Sequence, residues 1–274
     1  MPHHLARKKI HLVLLHGFLD DRHVWDRLVT ELQAARTDIS YLRLDLPGCG
    51  DRLDETGPFT LEHLVDDIDA TVTSLDSTFV LVGQSMAAPV AELVAARRPA
   101  RTLGLVLLTP IPLAGTHLPD EAIEPFRALG GDAHAQRAAR CQLSAGLADA
   151  DLDRLAATGA EVRPEVVRAM TDCWNTGYPD GARSSRYTGP VLVLRGAEDP
   201  FVTEELVAGA VTPRFAAAEC AAITGAGHWA HLEQPRAVAE RVSAFLARVG
   251  LPADNSPWGD DQTSEAVCTR RPST

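Results

Sequence analysis

Lysine is almost missing from this chain. It occurs only as Lys8 and Lys9, and arginine supplies the rest of the positive charge. That skew reads as coding bias in a GC-rich bacterial genome rather than as a physical demand. Net positive charge is missing too: the formal balance is -11 at pH 7. This excludes a nucleic-acid binder working through a basic face. Paired cysteines are also absent. Cys49, Cys141, Cys173, Cys220 and Cys268 are scattered, odd in number and without a C-x-x-C pair. This excludes a disulfide framework and points to reduced thiols in a cytoplasmic protein. No stretch approaches the roughly 20 apolar residues of a membrane span. The opening MPHHLARKKI is basic, but no apolar run behind it is long enough for a signal peptide.

What is present is ordinary for a soluble globular chain. Hydrophobic residues make up 45% and charged residues 23% of 274 positions. A chain of this length buries a substantial core without staples.

Short apolar runs alternate with helical periodicity. Strands are predicted over 10–15, 39–44, 79–82, 103–108, 191–195 and 219–223. Helices are predicted over 23–35, 60–75, 85–97, 203–210 and 235–249. Thr60 is placed to cap the second of these. Between 109 and about 188 no strand is evident. Four helical stretches fill that gap, over 120–129, 132–143, 150–157 and 164–174, with Pro164 in the first turn of the last. The pattern predicts an α/β fold, a mostly parallel doubly wound sheet of about six strands with an inserted all-helical cap. The expected division is a first core segment 1–112, a cap 113–187, a second core segment 188–250, and a polar, disordered tail 251–274.

The polar pair Gln84-Ser85 sits where a buried strand joins a buried helix, in Gly83-Gln84-Ser85-Met86-Ala87. A serine on so tight a strand-to-helix turn points out at the carboxyl end of the sheet, where ligands bind. Its hydroxyl needs a base. His228, in Gly225-Ala226-Gly227-His228-Trp229, follows the last strand. A carboxylate must orient that imidazole. Glu198 and Asp199 both follow the fifth strand.

The serine turn resembles the nucleophile elbow G-x-S-x-G of the α/β-hydrolase family, with Ala87 in place of the last glycine. The resemblance runs over 10–249. Its G-x-x-D pattern selects Asp199 over Glu198, and the order Ser85, Asp199, His228 is the family's order. It implies an oxyanion hole from the Phe18 and Met86 amides. It also makes His16, Trp174 and Trp229 candidate substrate contacts, with His16 orienting the oxyanion loop. No antiparallel hairpin is expected before residue 10, as in the branch that includes plant methylesterases and hydroxynitrile lyases.

Other residues receive structural readings. Asp20 and Asp21 are expected to face solvent at a helix start, and Asp45 to brace its loop. His231 and Glu233 read as local hydrogen-bonding residues rather than metal ligands. Tyr178 either lines a pocket or packs the cap.

The resemblance implies a serine hydrolase of a small-molecule ester, lactone or thioester. The helical insertion would act as a lid, with no cofactor and no metal. Gly83-Gln84-Ser85-Met86 also resembles the G-N-S-M-G elbow of hydrolases that cleave carbon–carbon bonds in diketones, the alternative within enzymes. A perhydrolase or haloperoxidase-like activity with the same triad is a further alternative, and a lyase of the short-sheeted branch ranks below it. A non-enzymatic small-molecule receptor on the same scaffold is the alternative outside enzymes.

Overall fold

A computed structural model describes residues 10–251. Six parallel strands form one sheet among the described residues: β1 (Ile10–Leu15), β2 (Ile39–Leu44), β3 (Phe79–Gln84), β4 (Thr102–Leu108), β5 (Val191–Gly196) and β6 (Ala218–Ile223). Their spatial order is β2-β1-β3-β4-β5-β6. The chain steps from β1 out to β2, then crosses back to β3 on the other side of β1. That reversal opens a crevice above the carboxyl ends of β1 and β3.

Side chains on a strand alternate between faces. Val13, Leu15, Phe79 and Leu81 join one core cluster, whereas Leu12, Leu14, Val80 and Val82 join the other. Both faces are buried, which is why these strands are continuously apolar. Helices α2 (Leu61–Ser74) and α3 (Ala87–Arg97) cover the first face. Helices α1 (Asp26–Ala35) and α10 (Pro235–Arg248) cover the second. Thr60 caps α2 as expected, accepting from the His63 amide.

Between β4 and β5 stand four helices: α4 (Asp120–Arg127), α5 (Ala133–Leu143), α6 (Asp149–Glu161) and α7 (Pro164–Thr176). Helix α6 runs past its predicted end at 157. Gly159 does not break it because α5 packs there: a β-carbon on Gly159 would stand 2.6 Å from the Gln136 side-chain oxygen.

Other boundaries also move. The helix predicted from residue 23 begins as a 3-10 turn, Arg22–Trp25, with the Asp21 side chain accepting from the His23 amide. The helix predicted over 203–210 is a short α8 (Glu204–Leu206) continuing as a π turn, Val207–Val211. Leu251, assigned to the tail, is buried, and its amide donates to Leu246. The rest of the expected tail and the segment before residue 10 lie outside the described residues. None of the described helices is long and apolar enough to cross a membrane.

Candidate active site

Strand β3 runs to Gln84 and α3 starts at Ala87, so Ser85 and Met86 alone make the turn. Ser85 adopts φ 54°, a left-handed conformation rare for residues other than glycine. The strain is held from both sides: the Ser85 amide donates to Leu108 and its carbonyl accepts from Ala88 and Ile111. Gly83 has no room for a side chain, since a β-carbon there would lie 2.4 Å from the Ala87 carbonyl oxygen. The alanine that replaces the family glycine at position 87 is fully buried in the core.

Ser85 Oγ lies 2.9 Å from His228 Nε2, and His228 Nδ1 lies 2.8 Å from Asp199 Oδ2. All three side chains are buried. Burial alone would raise the Asp199 carboxyl. The neighbouring His228 charge and ring N–H, with the Val202 and Phe201 amides, outweigh it and hold the group below the ordinary carboxylate range. Ionised Asp199 accepts from Nδ1–H, which leaves Nε2 to accept from the serine hydroxyl. Glu198 turns away and accepts from the Gly225 amide.

The loop after β1 lies against the serine turn. A β-carbon on Gly17 would stand 1.9 Å from the Gln84 side-chain oxygen and 3.2 Å from Ser85 Cβ. Glycine is therefore the residue that lets the two loops touch. No acceptor among the described residues occupies the Phe18 or Met86 amide. His16 does not reach the cavity. It is fully buried, its Nε2 accepts from the Leu46 amide, and its Nδ1 donates to the Gly17 carbonyl. It ties the loop after β1 to the loop after β2, so its expected role in orienting the loop fits and its candidate role as a substrate contact does not.

A cavity opens onto Ser85 and His228. Its aromatic wall comprises Phe18, Phe126, Trp174, Phe201 and Trp229. Both tryptophans singled out in the sequence are there. Tyr178 packs against the core instead. Phe126 and Phe201 were not identified from sequence, nor was Arg140. Nothing but their position in the fold marks them.

Two further expectations fail. Asp20 is buried rather than solvent-facing, because Arg140 and the Trp229 indole N–H both bind its carboxylate in the cavity wall. His231 makes no hydrogen bond among the described residues. It stacks on Trp25, with ring centroids 4.5 Å apart, and burial pushes its pKa down to about 3. Glu233 is the hydrogen-bonding residue expected: its carboxylate accepts from the amides of Ala145, Gly146, Gly227 and Trp229. Asp45 braces its loop, accepting from the Arg22 and Asp51 amides and the Arg22 guanidinium. No group of three or more possible metal-ligating side chains occurs among the described residues.

The chain resembles proteins of related architecture. It is 29% identical over 258 residues to the 2-succinyl-6-hydroxy-2,4-cyclohexadiene-1-carboxylate synthase of Enterobacter sp. (strain 638), covering 86% of this chain and 91% of that one. The enol-lactonase from Burkholderia xenovorans LB400 superposes with a TM-score of 0.74 at 21% identity, covering 89% of this chain and 93% of that one. An esterase from Exiguobacterium antarcticum superposes with a TM-score of 0.73 at 14% identity, covering 86% and 91%. Likeness at such identities speaks for the fold. The sequence profile of the Alpha/beta hydrolase family matches residues 12–241, and the chain belongs to that family.

Proposed function

We propose that the protein is a serine hydrolase of a small-molecule ester, lactone or thioester, with Ser85 as nucleophile, His228 as base and Asp199 as its orienting carboxylate. The observation that carries this reading is the unbroken hydrogen-bond chain from Ser85 Oγ through His228 to Asp199. Ser85 Oγ attacks the acyl carbon while its proton passes to His228 Nε2. The Phe18 and Met86 amides take the developing oxyanion, each worth about 100- to 1,000-fold in rate. His228 returns the proton to the leaving group, and a water activated the same way releases the acyl group. The inserted helices roof the cavity and select the acyl group. The chemistry needs no metal or organic cofactor, and the reduced-thiol reading places it in the cytoplasm.

The test is the intact mass of the protein after treatment with a small fluorophosphonate, followed by peptide mapping. One adduct on Ser85, lost in Ser85→Ala, is the expected result. A folded protein that takes no adduct would sink the reading and favour a ligand receptor.

A further inference from the structure

Among the described residues, Arg140 and Asp20 are the only charged side chains of the cavity wall outside the proposed triad. Both are almost fully buried. A guanidinium beside a serine nucleophile would ordinarily invite a carboxylated substrate, since its planar fork matches a carboxylate. Here both terminal nitrogens of the fork are engaged, while Nε is buried without a hydrogen-bond partner among the described residues. Nη2 donates to Asp20 Oδ1 at 2.9 Å and to the Leu19 carbonyl at 2.8 Å, and Nη1 donates to the Gln136 side chain. The other Asp20 oxygen accepts from Trp229 Nε1 at 2.9 Å, and the Arg140 guanidinium lies 5.6 Å from the Trp229 ring centroid.

The loop carrying Asp20 has little freedom to let go. Leu19 holds φ 56°, an uncommon conformation for leucine, and Arg140 grips its carbonyl. The pair is therefore electrically neutral and locked between the loop after β1, α5 and the residue after His228. A carboxylate entering this cavity would meet an occupied guanidinium, the like charge of Asp20 and an aromatic wall.

We propose that Asp20 is a specificity determinant: it closes Arg140 to the substrate, so the site takes an uncharged apolar acyl group and rejects one that ends in a carboxylate. This rests on the hydrolase reading for its chemistry but not for its preference.

The test compares p-nitrophenyl hexanoate with mono-p-nitrophenyl adipate, equal in carbon count and differing in the terminal charge. The wild type is expected to favour the hexanoate by about 100-fold in kcat/KM, the scale of burying an unpaired charge. Asp20→Asn frees the guanidinium and is expected to narrow that ratio by about tenfold or more. Asp20→Asn/Arg140→Met removes both charges together, a change buried pairs often tolerate, and should restore the preference for hexanoate. Thermal melting establishes that each variant is folded. A wild type that cleaves both esters equally would overturn the proposal. So would a folded Asp20→Asn protein with an unchanged ratio.

If neither ester is cleaved, the fluorophosphonate adduct on Ser85 decides the hydrolase reading separately. Calorimetric binding of methyl hexanoate against monomethyl adipate to Ser85→Ala then decides the preference. Tighter methyl hexanoate supports the role of Asp20, and equal or tighter adipate rejects it.

Discussion

The helices between β4 and β5 meet the carboxyl end of the sheet in two different ways. On the α5 side the contacts are polar and directional. The Leu143 carbonyl accepts from the His228 amide, Arg140 holds Asp20, and Glu233 grips amides on both sides of His228 as well as Ala145 and Gly146 just beyond α5. On the α4–α7 side the walls meet as aromatic edges. Trp174 lies 6.0 Å from Phe18, 5.4 Å from Phe126 and 5.9 Å from Phe201, centroid to centroid. Polar ties here are few: Arg163, just before α7, donates to the Glu55 carbonyl, and Cys49 Sγ meets Met170 Sδ on α7; none of these residues lines the cavity.

Hydrogen bonds have a narrow range of useful distance and angle, whereas apolar contacts tolerate sliding and exchange of shape. The α5 side therefore fixes where His228 stands, and the α4–α7 side shapes the apolar wall of the cavity. Gly227 shows how close the first contact is: a β-carbon there would lie 2.5 Å from the Leu143 carbonyl oxygen.

Glu233→Gln should break the comparison most visibly. The amide has one acceptor oxygen where four backbone N–H groups converge; those of Ala145 and Gly146 are exposed, so the loss falls on the part-buried amides of Gly227 and Trp229 on either side of His228. The expected result is a fall in kcat of about 10- to 100-fold on a neutral ester, with KM little changed. Steady-state kinetics on a variant shown folded by circular dichroism would check this. An unchanged kcat would mean that the carboxylate stabilises the loop without positioning His228.

Trp174→Leu sharpens the other half. It cuts back the aromatic wall and enlarges the cavity without touching a side-chain hydrogen bond among the described residues. The preferred acyl chain should lengthen, with kcat on a short ester held within about tenfold. A series of p-nitrophenyl esters measures both. A large loss of kcat at unchanged chain-length preference would place Trp174 with the α5 side.

The smallest effect on turnover belongs to His231, which stacks on Trp25 and does not line the cavity. Its folded pKa is near 3 because burial disfavours the charged ring. The unfolded chain binds a proton near the ordinary histidine value of about 6.5. Stability from the neutral ring is thus complete above about pH 6.5 and is lost progressively as the pH falls toward 3. Denaturant melts across that window should show the loss in the wild type. In His231→Phe, which keeps the stack on Trp25, the slope should flatten while activity at neutral pH stays within a few-fold. An equal slope in both proteins would assign the acid sensitivity to other groups, Asp199 among them.

Much of this site is legible in the chain. Ser85, Asp199 and His228 each follow a strand whose apolar run is easy to see, and each stands in a short pattern that serves a geometric need. Gly83 is a glycine because the Ala87 backbone packs against it, and Gly17 because the Gln84 side chain does. Asp20 illustrates the opposite case. A carboxylate at a helix start is normally solvated, and nothing local says that an arginine 120 residues later will cover it. His231 misleads in the same way, since a histidine beside the base loop suggests hydrogen bonding, and only packing against Trp25 removes it from solvent.

The sequence by itself determined the alternation of strands and helices, the strand-to-helix turn at Ser85 and the order of the reacting residues. Those features depend on local periodicity and on the conformational limits of a few residues. The pairing of Arg140 with Asp20, the aromatic wall and the grip of Glu233 on the base loop were decided only by tertiary structure. They join residues far apart in the chain. Their energies come from desolvation and directional contact, which exist only once the helices have docked on the sheet.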